Sequence, residues 1–344
     1  MILPVPDPGG EWDAPAAADR RHAGHAGLAA QPAPLPPGRI SVPGPQGGSG
    51  LAPVYLSADW TAPQPGVTRA VIVMHGLARN ADTYFAAGLA ARQAAGPAGA
   101  ATLVIAPRIL GAQDVVELHA PADMLRWRHG NWAGGAAATA PVPASSFAVF
   151  DAIIARLADR ALFPALREIV VAGHSAGGQV VQRYAAVAPD NPALAREGIG
   201  LRYVVANPST YVYFTPARPW PTAACPGYNA WKYGFASRLP AYVQGDPASL
   251  ERRYRGRDVT YLLGTLDTDP NHPALDKSCA AEAEGPSRYT RGHAYFAALQ
   301  ADAGGPLAQR LFDVPGVGHN GHRMFTSPCG LAALFETPGC PKDK

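Results

Sequence analysis

Residues 168–181 read Glu168-Ile169-Val170-Val171-Ala172-Gly173-His174-Ser175-Ala176-Gly177-Gly178-Gln179-Val180-Val181, and this stretch decides the fold. Its apolar, β-branched first half is typical of a buried strand that ends at Gly173. The part that begins near Gly177 carries alanine and valine and has helical character. Ser175 therefore lies at a corner between a strand and a helix.

Gly173 and Gly177 allow a turn that is too sharp for a side chain at either position. The Gly-x-Ser-x-Gly pattern is that of a nucleophile elbow, which lifts a serine hydroxyl above the sheet and points the first backbone N–H groups of the helix at the group that is attacked. A chain with 37 glycines can contain the pattern by chance. The alternative is a glycine-rich turn with an idle serine, but the flanking strand and helix favour the elbow.

Further apolar segments repeat the strand signal on both sides of the elbow. A helix is expected at residues 82–95, and another is expected to begin with Ser145 as its N-cap. The alternation of strands and helices from residue 69 to 314 indicates an α/β fold with a mostly parallel sheet and helices on both faces. The predicted strands are 53–56, 69–74, 102–107, 201–206, 259–264 and 310–314.

We predict one large domain, residues 51–344, preceded by a flexible tail. The first 50 residues are rich in Pro, Gly and Ala and have no apolar periodicity, so they cannot offset the entropy of ordering. Residues 208–256 are crowded with Pro, Tyr and Trp. We interpret them as a cap insertion over the site, although the rings could instead collapse onto the body without contacting a ligand.

Composition excludes several classes of partner. With 344 residues, 47% of them hydrophobic and 16% charged, the chain has enough apolar side chains for a large core. A net charge of +3 with no basic run argues against nucleic acid and anionic membrane surfaces. No run of 18 apolar residues exists, so no membrane span is expected.

The four cysteines bear on the cellular compartment. They have no metal-ligand spacing, so no metal site is expected. Among three possible pairings we favour Cys225 with Cys279 and Cys329 with Cys340, which predicts a secreted or periplasmic protein. The first residues lack the features of a signal peptide, and a leader missing from this numbering would reconcile the two observations. The alternative is four free thiols in a cytoplasmic protein.

Two loops after early strands are candidates for the surroundings of Ser175. His75-Gly76 ends the strand 69–74, and the backbone N–H of Leu77, or of its neighbour Ala78, is a candidate oxyanion donor beside that of Ala176. We interpret His75 as a structural residue of this loop. Trp132 lies in a glycine-rich loop and is predicted to form an apolar wall of a substrate cleft, unless it only plugs the loop onto the domain. His174, beside Ser175, is a second candidate for substrate contact.

A serine hydroxyl needs a base in contact with it and an acid that orients the base. Asp267 follows the strand 259–264, and His319 follows the last strand. The order Ser, Asp, His, each after a strand, is the order of the α/β-hydrolases. Two choices stay open here, since Asp269 competes with Asp267 and His322 competes with His319.

The chain resembles the α/β-hydrolase superfamily of serine esterases and lipases over about residues 51–335. The resemblance rests on His75-Gly76, on the elbow, on Gly264-Thr265-Leu266-Asp267 and on Gly318-His319. It implies that Ser175 is the nucleophile, His319 the general base and Asp267 the carboxylate. The spacing after the strand-ending glycine in this superfamily favours Asp267 over Asp269, and the glycines before His319 favour it over His322.

The resemblance implies a serine hydrolase that cleaves carboxylic esters, either small or polymeric, through an acyl-enzyme. The aromatic residues of the predicted cap favour apolar or aromatic substrates, and no cofactor is expected. An amidase or peptidase would use the same three residues. From a different class, a non-catalytic binding module on the same fold is the alternative, which the complete Ser175, Asp267 and His319 set disfavours.

Overall fold

The computed structural model describes residues 34–128, 130–301 and 307–340. Its strands form one sheet in the order β1-β2-β4-β3-β5-β6-β7-β8. β1 and β2 are antiparallel to their neighbours, and β3 to β8 run parallel to one another. The strands are β1 (Gly38–Pro43), β2 (Ser49–Leu56), β3 (Arg69–Met74), β4 (Thr102–Pro107), β5 (Glu168–His174), β6 (Gly200–Ala206), β7 (Asp258–Gly264) and β8 (Arg310–Val314).

Helices cover both faces of this sheet. Ala70 and Ile72 of β3 belong to one buried cluster, whereas Val71 and Val73 belong to another, because successive side chains of a strand point to opposite faces. The first cluster includes residues of α3, α4 and α8, and the second includes residues of α1, α9 and α10. The α-helices are α1 (Ala81–Ala94), α2 (Ala112–Glu117), α3 (Ala148–Leu157), α4 (Ala176–Val187), α5 (Pro192–Arg196), α6 (Pro247–Arg255), α7 (Cys279–Glu282), α8 (Arg288–Ala301), α9 (Gly321–Thr326) and α10 (Pro328–Phe335).

The predicted α/β architecture is confirmed, and the parallel strands explain where a site can form. Ser175 follows β5, Asp267 follows β7 and His319 follows β8. Carboxyl ends of parallel strands meet at one edge of a sheet, where α/β folds place their ligands. The three side chains therefore come from distant parts of the sequence to one edge.

The predicted tail is too long. β1 and the first residues of β2 lie within residues 1–50, and β1 pairs with β2 from Gly38↔Val54 to Pro43↔Ser49. Ile40 and Val42 alternate with polar neighbours and are buried, which gives the segment enough apolar contact to be ordered. The high content of Pro and Gly around this short alternation concealed it. The rest of the predicted tail, residues 1–33, lies outside the described residues.

Ser145 is not the N-cap of α3. The helix begins at Ala148 after Phe147, and the Ser145 Oγ accepts a hydrogen bond from the Phe147 N–H at 3.1 Å while donating to the Gly135 carbonyl at 2.7 Å. The hydroxyl therefore orders the turn that precedes the helix. A turn of this kind uses the same residue types as an N-cap, so the sequence pattern does not separate the two.

The predicted cap segment packs on the body of the domain. Its Tyr242 hydroxyl donates to Asp151 of α3 at 2.8 Å, and its Trp231 indole donates to the Gly134 carbonyl at 2.7 Å. Apart from α6, most of residues 208–256 has no regular secondary structure. Its role as a cover for a substrate stays a prediction.

An ion cluster lies at the amino ends of the central strands. Glu168 of β5 pairs with Arg69 of β3 and with Arg202 of β6, the latter at 2.5 Å between Oε1 and Nε. Burial raises the pKa of Glu168, but the hydrogen bonds from the two arginines outweigh it and hold that pKa below its usual value. Arg202 also donates to the Ala333 carbonyl of α10 at 2.8 Å, so the cluster joins the sheet to the last helix.

Both predicted disulfide pairings are confirmed. Cys225 bonds to Cys279 with a Cα–Cα distance of 5.7 Å, and Cys329 bonds to Cys340 at 4.3 Å. The first ties the 208–256 segment to the segment that follows Asp267. Among the described residues, the helices are too short or too polar to cross a membrane.

Replacing Cys225 and Cys279 together by serine is expected to lower the free energy of unfolding by about 4 kcal/mol, against about 3 kcal/mol for Cys329 and Cys340. The difference arises because the first bridge closes a loop of 54 residues and the second a loop of 11. Urea unfolding of the two double variants measures both values. A smaller loss at Cys225 and Cys279 than at Cys329 and Cys340 would contradict this ranking.

Candidate active site

The corner at Ser175 has a backbone conformation that few residues adopt. Ser175 has φ 60° and ψ −125° between the end of β5 and the start of α4. A Cβ atom on Gly173 would lie 2.3 Å from the Gly177 carbonyl oxygen, and one on Gly177 would lie 2.4 Å from that of Met74. Both glycines are therefore required by close backbone approach, and the predicted sharp turn is present.

Gly177→Ala is expected to lower the free energy of unfolding by about 2 to 4 kcal/mol, because the backbone oxygens of Met74 and His75 cannot move away from the added methyl group. Gly66→Ala is the matched control. A Cβ on Gly66 has no atom within 4 Å, and the change is expected to stay within about 0.5 kcal/mol. Thermal and urea unfolding measure both, and equal effects would contradict the packing argument.

Ser175, His319 and Asp267 form a continuous hydrogen-bond chain. His319 Nε2 lies 2.9 Å from the Ser175 Oγ, and His319 Nδ1 lies 2.8 Å from Oδ2 of Asp267. The carboxylate requires a proton on Nδ1, which leaves Nε2 free to accept the serine proton. The structure thus brings together three of the predicted site residues in an arrangement that can activate a hydroxyl.

The competing residues lie elsewhere. Asp269 is exposed and its carboxylate accepts a hydrogen bond from the Asn271 N–H at 2.8 Å, whereas Asp267 is only 3% exposed. His322 is exposed on α9, one turn beyond His319. The side-chain hydrogen bonds of His319 are therefore with Ser175 and Asp267, and not with the competing residues.

The electrostatics keep the imidazole neutral and the carboxyl ionised. Burial and the charge of Arg288 lower the pKa of His319 to about 4, although Asp267 opposes this shift. Burial raises the pKa of Asp267, but the hydrogen bond with His319 and the charges of His319 and Arg288 outweigh it and hold that pKa below its usual value. At neutral pH the pair is thus set to accept a proton from Ser175.

The loop after β3 lies against the start of α4. His75 Nε2 accepts a hydrogen bond from the Ile109 N–H at 3.0 Å, and its Nδ1 lies 2.9 Å from the Gly76 carbonyl. Burial lowers the pKa of His75 to about 3, so it is a neutral residue that holds the loop, in agreement with its predicted structural role. A Cβ on Gly177 would lie 2.7 Å from the His75 carbonyl oxygen, so α4 begins close to the turn that carries Leu77.

Trp132 and His174 are placed differently from their predicted role in substrate contact. Trp132 is 1% exposed and packs edge to face against the His75 ring, with centroids 4.9 Å apart. His174 is 2% exposed, and its ring lies 4.6 Å from that of His319. Neither side chain presents a surface to a bound molecule in this conformation. Trp132 instead packs against His75 of the loop after β3, and His174 packs against the imidazole of His319.

Asn207 is a site residue that sequence reasoning missed. Its Oδ1 accepts from the Gly264 N–H at 2.8 Å, and its Nδ2 donates to the Gly318 carbonyl at 3.3 Å. The buried amide thus joins the end of β6 to the loops that carry Asp267 and His319. Its φ of 40° at a strand end, a conformation that asparagine tolerates, follows the same pattern as the Ser175 corner.

Arg288, at the start of α8, was missed as well. Its Nη1 donates to Oδ1 of Asp267 at 3.3 Å, so both oxygens of that carboxylate have a partner. No local sequence pattern specifies this contact, because Arg288 reaches Asp267 only through the packing of α8 beside the loop after β7.

The described residues contain no cluster of three or more His, Cys, Asp and Glu side chains that could hold a metal ion.

The strand order, the strained serine corner and the positions of the three loops define the α/β-hydrolase fold. Structural relatives agree. LpqC, a poly(3-hydroxybutyrate) depolymerase from Bordetella parapertussis, matches with a TM-score of 0.57 at 23% identity, over 85% of this chain and 86% of its own. Poly(aspartic acid) hydrolase-1 from Sphingomonas sp. KT-1 matches with a TM-score of 0.56 at 22% identity, over 88% of this chain and 99% of its own.

At these identities the likeness establishes the fold. No protein-family model and no curated protein sequence matches the chain.

Proposed function

We propose that this protein is a serine hydrolase that cleaves carboxylic esters through a covalent acyl-enzyme. The observation that carries the proposal is the hydrogen-bond chain from Ser175 through His319 to Asp267, with distances of 2.9 and 2.8 Å. Nucleophile, base and orienting acid in contact are the arrangement that makes a serine hydroxyl reactive. The fold supports it, since two structural relatives with this fold are described as a depolymerase and a hydrolase.

In the proposed mechanism, Nε2 of His319 takes the proton of Ser175 as the Oγ attacks the acyl carbonyl. The backbone N–H groups of Ala176 and Leu77 are proposed to bind the oxyanion, each contributing about 3 kcal/mol in the transition state. His319 then gives its proton to the leaving alcohol, and Asp267 stabilises the imidazolium meanwhile. Water, activated by the same imidazole, releases the acyl group from Ser175.

An exposed leucine supports an apolar substrate. Leu266 precedes Asp267, is 63% exposed, and its Cβ would lie 3.8 Å from a Cβ atom placed on Gly318, the residue before His319. A large apolar side chain left open to solvent beside the proposed base is suited to an acyl or alcohol group without charge. We therefore propose apolar esters, small or polymeric, as substrates.

Amide cleavage is the second candidate. One structural relative is described as a poly(aspartic acid) hydrolase, and poly(aspartic acid) is joined by amide bonds. The proposed groups could attack an amide in the same way, with His319 protonating a leaving amine.

The test combines a covalent probe with a substrate panel. A fluorophosphonate probe is expected to label the wild-type protein and not Ser175→Ala, and p-nitrophenyl esters and polyester films are expected to be hydrolysed faster than matched anilides. Faster anilide cleavage would favour the amidase. Folded wild-type protein that is neither labelled nor active on any of these would favour a non-catalytic binding module and contradict the proposal.

We also propose that the protein works in an oxidising compartment, outside the cytoplasm. Two disulfides support this, since such bonds persist in secreted and periplasmic proteins. Titration of thiols in denatured protein isolated from its natural source tests it. Four thiols without reductant would contradict the proposal.

A further inference from the structure

Arg288 is buried beside the proposed triad. It and His319 each form a hydrogen bond with one oxygen of the Asp267 carboxylate. The Nη1 of Arg288 donates to Oδ1, at 3.3 Å, and Oδ2 is left for His319, at 2.8 Å. The Arg288 side chain is fully buried, and that of Asp267 nearly so. The Coulomb attraction between two charges shielded from water in this way is stronger than at the surface, and removing one partner leaves the other charge buried and uncompensated.

The guanidinium is itself fixed from two other directions. Its Nε donates to the Ser209 Oγ at 3.1 Å, and its Nη2 donates to the Ala274 carbonyl at 2.6 Å. Ser209 follows β6 and Ala274 belongs to the loop after β7, so the three bonds join different loops at the carboxyl edge of the sheet. The planar fork of arginine can make these bonds together, whereas the single ammonium of lysine cannot reproduce them.

We infer that Arg288 is a positioning residue for the proposed reaction: it holds Asp267 at Oδ1 so that Oδ2 stays aligned with His319, and it places a fixed positive charge beside that pair. This inference rests on the proposed function. It assigns Arg288 a task beyond stability, because both effects act on the imidazole rather than on the core.

The groups around His319 give the charge effect its sign. A proton added to His319 would place a second positive charge near Arg288, so the guanidinium acts with burial to lower the pKa of the imidazole. Removing the guanidinium charge raises that pKa, and the neutral base is then lost at a higher pH. The titratable groups that face the imidazole are Asp267 and His272 from the loop after β7, His174 from β5, Arg288 from α8, and Tyr84 from α1 through its contact with His174.

Arg291 provides a matched control on the same helix. It is buried one turn after Arg288, and its guanidinium donates to the carbonyls of Gly285 at 2.6 Å, Ser209 at 2.7 Å and Asp276 at 3.0 Å. Arg291→Met therefore removes a buried arginine of similar structural weight without removing the partner of Asp267. A merely structural role predicts the same behaviour for both arginines.

The experiment measures kcat and kcat/KM for a p-nitrophenyl ester between pH 3.5 and 9 for the wild type, Arg288→Met, Arg288→Lys and Arg291→Met, with thermal unfolding of each. The acid limb of kcat/KM for the wild type is expected near the His319 pKa of about 4. In Arg288→Met the midpoint of the acid limb is expected to move to higher pH by about one pH unit or more. Its plateau kcat is expected to fall by about 10-fold to 100-fold.

Arg288→Lys separates charge from geometry. We expect it to keep the acid limb of the wild type, since the positive charge remains, and to show a reduced kcat, since the fork is lost. Arg291→Met is expected to lower the unfolding temperature. The pH of its acid limb is expected to match that of the wild type, and its plateau kcat is expected to stay within about twofold.

Several results would overturn the inference. One is an Arg288→Met profile that superimposes on that of the wild type, and another is a wild-type limb at the ordinary histidine pKa of about 6.5. If Arg288→Met does not fold, an Arg288→Lys variant with unchanged kcat overturns it as well. A wild type without ester turnover or fluorophosphonate labelling defeats the proposed function itself, whereas an active wild type with an unaffected Arg288→Met variant defeats this inference alone.

Discussion

Ser175→Ala is expected to lower kcat for ester hydrolysis by about 10⁶-fold, because the attacking oxygen is removed and only transition-state binding remains. His319→Ala is expected to lose a similar factor, since the Ser175 hydroxyl then has no base at 2.9 Å. The two residues act as one unit, so the double variant is expected to be no slower than either single variant within about threefold. Steady-state kinetics on a p-nitrophenyl ester measure all three.

Ser41→Ala is a suitable control for these variants. Ser41 is exposed on the edge strand β1, at a distance along the sheet from the carboxyl end of β5. Its loss is expected to leave kcat within about twofold. A Ser175→Ala protein that keeps its kcat within tenfold of the wild type would show that Ser175 is not the nucleophile.

Asp267→Asn is expected to lower kcat by about 10⁴-fold with little change in fold. An amide at this position can donate to Nδ1 of His319, which would move the ring proton to Nε2 and prevent it from accepting the proton of Ser175. The decisive comparison is Asp269→Asn, which removes an exposed carboxylate bonded to the Asn271 N–H. That variant is expected to stay within about twofold of the wild type.

Unfolding curves accompany this comparison, because Asp267 is also the partner of buried Arg288. A large loss of kcat in a protein that has lost its fold would say nothing about the imidazole, so the variant is compared at temperatures where circular dichroism shows it folded. A greater loss of kcat at position 269 than at 267 would assign the acid to Asp269.

The central strands and the positions of the three site residues could be predicted from the sequence. Each parallel strand is a short apolar run, and each candidate residue follows such a run within a few positions. The predicted strand at residues 69–74 and the observed β3 have the same bounds. This agreement arises because a strand that is buried on both faces has a composition that few other structures require.

The residues that support the site could not be predicted in the same way. Arg288 contacts Asp267 only because α8 packs beside the loop after β7, and no local pattern specifies that contact. For Trp132 a local pattern exists, but it fits two different positions. Its place in a glycine-rich loop suits a cleft wall or an interior residue equally, and only the packing against His75 decides for the interior.

The predicted length of the tail was wrong for a related reason. β1 is short and lies at the edge of the sheet, where one side of the strand has no partner strand. An edge strand tolerates the Gly and Pro residues that end this segment, so its composition resembles that of a linker. The pairing with β2 that orders it is a tertiary contact.

The ion cluster of Glu168, Arg69 and Arg202 has a practical consequence for protein engineering. It lies at the amino ends of the strands, whereas Ser175 and its partners lie beyond the carboxyl ends, so the length of the sheet separates the two. Directed evolution toward heat resistance could therefore draw its substitutions from the amino-terminal edge of the sheet around Glu168. A stronger charge network there is far from Ser175 and need not lower turnover.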